Sequence, residues 1–168
     1  MAVPGIAVSV SHDDAKIRAV LLNLIALGRD NKDAMRDIAT LGENSTRERF
    51  RTEIGPDGRR WKPSIRVQIS GGRTLTKDGH LGDSITSHSG RDFAEWGVNR
   101  IYAAIHQFGG VIKPRNASSL RFKLANGAFV TTKSVTIPAR PFLGINAGDE
   151  ADILDILQMR IQGIINAG

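Results

Sequence analysis

The chain has 168 residues, 40% of them hydrophobic and 24% charged, ordinary values with enough apolar material for one packed core, so residues 1–168 are read as a single domain. Cysteine is absent, which excludes disulfide staples, thiol nucleophiles and thiolate metal cages together. The net charge of +6 is concentrated in the middle, where residues 59–140 hold 14 Lys and Arg against 4 Asp and Glu, while residues 141–168 hold 1 against 4.

The opening MAVPGIAVSVSHDD has no basic leader region and no long apolar run, which predicts neither a signal peptide nor a membrane span, and synthesis inside the cell. Ile6, Val8 and Val10 alternate with small residues as in a half-buried strand. His12-Asp13-Asp14 then opens a helix with Ile17, Val20, Leu21, Leu24 and Ile25 on one face, broken at Gly28 to Asn31. A second helical pattern runs from Lys32 to Glu53 through Met35, Ile38, Ala39, Leu41 and Phe50. Its middle, Gly42 to Ser45, is polar, and Ser45 to Glu48 has capping-box spacing, so a restart there competes with the favoured reading of one long helix. Arg47, Arg49 and Arg51 beside Glu48 and Glu53 read as a solvated helix face.

Gly55-Pro56-Asp57-Gly58 is a turn, because proline presets φ at the first corner and Asp-Gly suits the positions that follow. Trp61 and Pro63 anchor the returning chain. The alternation of Ile65, Val67 and Ile69 reads as strand-like or irregular, in a basic, loop-rich arm over 59–76 that is a candidate for mobility before assembly. Asp78 to Asp83 fits a short turn or helix. Ser84–His88 and Asp92–Gly97 form a hairpin turning at Ser89-Gly90-Arg91. In the central stretch, Trp96, Val98, Ile101, Ala104 and Ile105 shift from alternating to helical spacing. A strand therefore ends near Asn99, and two helical turns stop at Gly109-Gly110.

Val111 to Lys133 is polar, basic and turn-rich, with strands at Leu120–Leu124 and Ala128–Val130 around Asn126-Gly127, and Val135 to Ile137 continues as strand. This gives a hairpin insertion over 111–137. Pro138 and Pro141 stiffen Ile137 to Gly144 (IPARPFLG), where Phe142 and Leu143 offer an anchor. Gly148-Asp149-Glu150 opens the last helix, whose stripe is Ile153, Ile156, Leu157, Ile161, Ile164 and Ile165. Asp149, Glu150, Asp152 and Asp155 are explained by the helix dipole and solubility better than by Mg²⁺. The sum is an α+β fold: long N-terminal helices and a C-terminal helix packed on a small, mainly antiparallel sheet, with extended loops.

Enzyme chemistry finds little footing. His106 and Gln107 beside Tyr102 have proton-transfer groups, but no serine, cysteine or acidic partner lies near them in sequence. His12, His80, His88 and His106 lack metal-ligand spacing, and Lys77 to His80 lacks the strand and Gly-rich frame of a phosphate loop. No catalytic residue, cofactor or metal is expected. The basic middle fits contact with nucleic acid or an acidic protein surface, and equally a solvated face. Without interleaved aromatics it would meet phosphates and leave sequence unread.

Several motifs together carry a resemblance: Phe50 with Pro56-Asp57-Gly58 and Trp61-Lys62-Pro63, then Leu75 to Ile85 (LTKDGHLGDSI), Trp96-Gly97 with Tyr102 to Gly110 (YAAIHQFGG), and IPARPFLG. In that order, over roughly residues 45–165, they resemble the phage virion morphogenesis or tail-completion proteins. The resemblance implies a structural virion protein that completes the tail end and supports head–tail joining, as a ring, often six-fold, around the DNA channel. It implies a place at the tail end or neck of the virion, and in the host cytoplasm during assembly. The implied partners are further copies of the chain, tail tube or terminator proteins, head connector proteins and non-specifically contacted DNA, without a membrane. Candidate interface residues are Trp61, Tyr102, His106, Gln107, Phe108, Pro138, Arg140, Pro141, Phe142 and Leu143. Candidate channel- or tail-facing cations are Arg59, Arg60, Arg66, Arg73, Lys113, Arg115, Arg121 and Lys123. The alternative is a sequence-independent nucleic-acid-binding module using the basic middle. A third reading is an assembly factor that leaves before maturation.

Overall fold

The computed structural model describes residues 17–18 and 31–166. The strand expected at Ile6 to Val10, and the helix through Val20, Leu21, Leu24 and Ile25 with its break after Gly28, lie outside the described residues. Helix α1, Lys32–Thr52, is one unbroken rod. Its inward residues, Ala34, Met35, Ile38, Ala39, Gly42, Thr46, Arg49 and Phe50, recur every three to four positions, as a single buried face requires. Ser45 starts no new helix. Its hydroxyl instead donates to Asp149. Arg49 corrects the expected solvated face, since it is buried on the inward side while Arg47 and Arg51 stay exposed.

The chain leaves α1 through Glu53 and turns at Gly55 to Gly58, closed by Gly58 N donating to Gly55 O at 3.0 Å and Gly55 N to Arg59 O at 2.8 Å. Gly58 takes φ of 75°, as a three-residue hairpin loop demands. The next segment is helix, not strand: α2 spans Ile65–Ser70. Ser64 caps it by accepting from Val67 N, and Gly71 ends it. Local capping thus outweighs the β-branched alternation that suggested a strand. A third short helix, α3 (His80–Asp83), leads into the expected hairpin, with β1 (Ile85–Ser89) antiparallel to β2 (Ala94–Val98) in the register Ile85 to Val98 and Ser87 to Trp96. The turn lies slightly later than expected, closed by Gly90 N donating to Phe93 O at 2.9 Å.

Helix α4, Ala103–Phe108, follows a turn in which Ala103 N donates to Arg100 O. Starting two residues later than the spacing suggested, it turns Ala103 and Gln107 inward and leaves Ile101 66% exposed, a correction to the apolar series. Gly109 caps it at φ of 71° with its own backbone against Ala139, where a Cβ would stand 2.7 Å from the Ala139 nitrogen. Gly110 opens β3 (Gly110–Ile112), which pairs antiparallel with β6 (Val135–Ile137). Between them, β4 (Leu120–Lys123) and β5 (Phe129–Thr132) form the hairpin around Asn126-Gly127. Among the described residues the strands make three separate two-stranded antiparallel ladders, not one sheet.

Helix α5, Ala147–Asn166, begins with a reciprocal cap, Asp149 N donating to Asn146 Oδ1 and Asn146 N to Asp149 Oδ2, both at 2.9 Å. Its Ile153 and Leu157 bury against Ala34, Met35 and Ile38 of α1, with Ile17, Ile156 and Ile161 at the edge. The side chains of Ile164 and Ile165 lie outside the described residues. A second cluster joins Phe50, Trp61, Leu81, Ile85, Val98, Ala103, Phe142 and Leu143. Helix α1 therefore serves both cores, and the β1–β2 hairpin packs along it.

Candidate assembly surface

The segment IPARPFLG leaves β6 at Ile137 as irregular backbone that buries Arg140, Phe142 and Leu143, so the polar groups of that stretch need partners there. Gln107 supplies three of them. Its Oε1 accepts from Phe142 N and Leu143 N at 2.9 and 3.0 Å, and its Nε2 donates to Leu143 O at 2.9 Å. Arg140 N donates to His106 O, and Trp61 Nε1 donates to Pro141 O at 2.8 Å. Arg49 Nη1 donates to Phe142 O and Gly144 O, both at 2.9 Å, while its Nη2 meets Ser45 and Asp149. The Arg49–Asp149 pair is buried, so Asp149 holds α1 to α5 and is not a solubility residue, a correction to the reading of the acidic cluster.

Five of the ten residues expected at an interface, Trp61, Gln107, Arg140, Phe142 and Leu143, are thus interior and hold this segment to the core. Trp61 meets Phe50 edge-on and Phe142 meets it at a tilt, and both side chains are enclosed by the core. At the surface are Tyr102 and Phe108, 40% and 63% exposed, with His106, Pro138 and Pro141 half-buried. Tyr102 meets the His106 ring edge-on, 6.1 Å between centroids. Burial, and then the nearby Arg140 guanidinium, hold the His106 imidazole below its ordinary pKa of 6.5.

Further apolar side chains are exposed elsewhere, Val111, Ile112 and Phe129 on the ribbons and Ile65 and Ile69 on α2. Two clefts share Ser64, Arg66, His106 and Arg140 in their walls. One, of about 310 Å³, adds Lys77, His80 and Tyr102. The other, of about 660 Å³, lies between α2 and the ribbons and is floored by Ile112, Leu120, Phe122 and Ile137. Of the expected cations, Arg59, Arg60, Arg73, Lys113, Arg115, Arg121 and Lys123 are exposed. Arg121 lies over the Phe129 ring at 4.7 Å. Arg66 is half-buried in the cleft walls and donates to Gly71 O and Arg73 O. Among the described residues no cluster of His, Asp and Glu has the make-up of a metal site, and no helix is long and apolar enough to cross a membrane.

Residues 12–162 match the phage virion morphogenesis family, which takes in the helices, the ribbons and the buried IPARPFLG segment. The chain belongs to that family. It is similar to the G protein of Escherichia phage Mu, named provisionally for capsid assembly, with 30% identity over 89% of this chain and 92% of that protein. It is also similar to the Mu-like prophage FluMu G protein 2 of Haemophilus influenzae, with 39% identity over 78% of each. No solved structure matches significantly. Family membership gives the protein a role in building bacteriophage virions.

Proposed function

We propose that the protein is a non-catalytic structural part that completes the tail end and supports head–tail joining, as a closed ring of copies around the DNA channel. The observation that carries this reading is the run of exposed apolar side chains, Ile101, Tyr102, Phe108, Val111, Ile112 and Phe129, on short elements that flank a rigidly held segment. Large apolar side chains exposed in this number fit a protein that is covered by partners. A closed ring needs one protomer to offer two different complementary patches, so that each copy repeats the same rotation. Its proposed partners are further copies, tail tube or terminator proteins and head connector proteins. The provisional name of the Mu relative, which speaks of capsid assembly, fits a part that meets the head.

Electron microscopy of the purified protein should show rings of defined symmetry, and mass spectrometry should find the chain in finished virions. A protein that stays single at every concentration and is missing from particles defeats the proposal. Presence in assembling particles only would favour a factor that leaves before maturation. The exposed cations Arg59, Arg60, Arg73, Lys113 and Arg115 favour a second reading, sequence-independent binding to duplex DNA. That reading requires an affinity falling steeply with salt, in proportion to the phosphates contacted.

A further inference from the structure

Among the described residues two arginines are buried, and they are treated differently. Arg49 has Asp149, a serine hydroxyl and two backbone carbonyls. Arg140 is equally buried, 4% exposed, yet among the described residues its side chain makes one hydrogen bond, Nε to Lys62 O at 2.7 Å, and meets no carboxylate. No Arg140 nitrogen is among the buried atoms left without a partner, so its Nη groups open onto the cleft walls and present there a positive charge that no carboxylate among the described residues pairs. Arg140 lines the cleft between α2 and the ribbons, whose cationic residues also include Lys62, Arg121 and Lys123. The apolar floor argues against a DNA backbone, which would need a wet, charged groove along its phosphates. It suits a segment that is apolar and acidic at once.

The chain itself displays such a segment. On α5, Asp152, Asp155 and Met159 are exposed and follow one another at three and four residues, so they form a single stripe facing away from Ile153 and Leu157. No α5 residue lines the cleft, so stripe and cleft are separate patches of opposite charge. We propose that the α5 stripe of one copy docks in the α2–ribbon cleft of the next, its carboxylates meeting Arg140, Lys62 and Lys123, and Met159 covering the apolar floor. The inference rests on the reading of the protein as a ring of copies and names the two surfaces that such a ring joins. One contact repeated head to tail uses both patches of every protomer.

The test is a charge exchange on exposed residues outside the core. Lys62→Glu with Lys123→Glu reverses the cleft, and Asp152→Lys with Asp155→Lys reverses the stripe. Circular dichroism checks folding, and sedimentation velocity with electron microscopy reads assembly. Each double variant alone should weaken self-association by about tenfold or more, because like charges then face each other. An equimolar mixture should regain it, since reversed cleft meets reversed stripe at one contact and native meets native at the next. Assembly unchanged in both folded variants overturns this inference and leaves the ring reading standing. A wild-type chain that never associates removes the ring reading and this inference with it. Loss of salt-sensitive duplex binding in the cleft variant, with assembly intact, would give the cleft to nucleic acid and also overturns the proposal.

Discussion

Gly42 lies in the middle of α1, where exchanging glycine for alanine ordinarily stabilises a helix by about 1 kcal/mol. Here the sign should reverse. A Cβ on Gly42 would stand 2.3 Å from Cδ2, 2.4 Å from Cε2 and 2.5 Å from Cε3 of Trp96. These atoms belong to the fused edge of the indole, so no flexible tip can swing aside. Carbon atoms in contact sit about 3.5–4.0 Å apart, and the ring or the helix must therefore retreat by more than about 1 Å. Either movement loosens the packing of the β1–β2 hairpin on α1, and Trp96 also rests on the Phe50 cluster. Overpacking of this kind costs about 1–3 kcal/mol, and the overlap here belongs at the upper end. After the propensity gain, Gly42→Ala should destabilise by about 2 kcal/mol, or roughly 4–8 °C in Tm for a chain of this size. Urea and thermal unfolding followed by circular dichroism measure it. Repeating the exchange in a Trp96→Leu background should abolish the cost, as contacting residues couple in a double-mutant cycle. A Gly42→Ala protein as stable as the parent refutes the reasoning.

Arg49→Met removes one partner of the buried pair and orphans the carbonyls of Phe142 and Gly144, so unfolding in urea should show a loss of about 3–5 kcal/mol. Gln107→Leu leaves Phe142 N and Leu143 N unpaired in the interior, and the same assay should show about 2–4 kcal/mol lost, with faster amide exchange over residues 138–144. Burial and Arg140 lower the His106 pKa from 6.5, so the unfolded chain takes up this proton at higher pH than the folded one. Its contribution is complete above about pH 6.5 and declines as pH falls from there to the folded pKa. His106→Gln should flatten that part of the urea-midpoint profile between pH 7.5 and 5, and an unchanged slope would exclude His106 as its source.

Both hairpins are legible in the sequence because their turn chemistry is local: Asn126-Gly127 closes one, and Gly90 lies in the turn of the other. The long α1 is legible from its periodicity, which continues through the polar Gly42 to Ser45. Helix α2 is not, because Ile65 and Ile69 are four residues apart, a separation shared by one helical turn and two strand pleats. Ser64 and Gly71 decide the case as caps, and they were the available signal. Arg49 reads with Arg47 and Arg51 as one solvated face only while its phase on the helix is left out. In a helix residues two apart point nearly opposite ways, and Arg49 follows Ile38, Gly42 and Thr46 in phase with the buried stripe. The interior place of Trp61, Gln107, Arg140 and Phe142 was hidden because their role depends on backbone far away in sequence.

The strands themselves bear on why such a chain belongs in an assembly. A lone two-stranded hairpin is marginal in water, since it has only one partner strand and little to bury its face against. Here β1–β2 escapes that weakness by lying on α1, whereas β4 and β5 make their principal contacts with each other. The β4–β5 hairpin also carries Phe129, 61% exposed, with the Arg121 guanidinium and the Lys123 ammonium over its ring. The fold thus divides into a core secured by α1, the buried IPARPFLG segment and the Arg49–Asp149 pair, and a ribbon whose apolar side lacks a cover. Phe129 lies outside the cleft, on the face with Lys123, and the proposed head-to-tail contact covers the other face of the ribbon, that of Leu120 and Phe122. The same contact brings acid to a basic cleft, so the charge asymmetry of the sequence and the incomplete packing of that face have one cause.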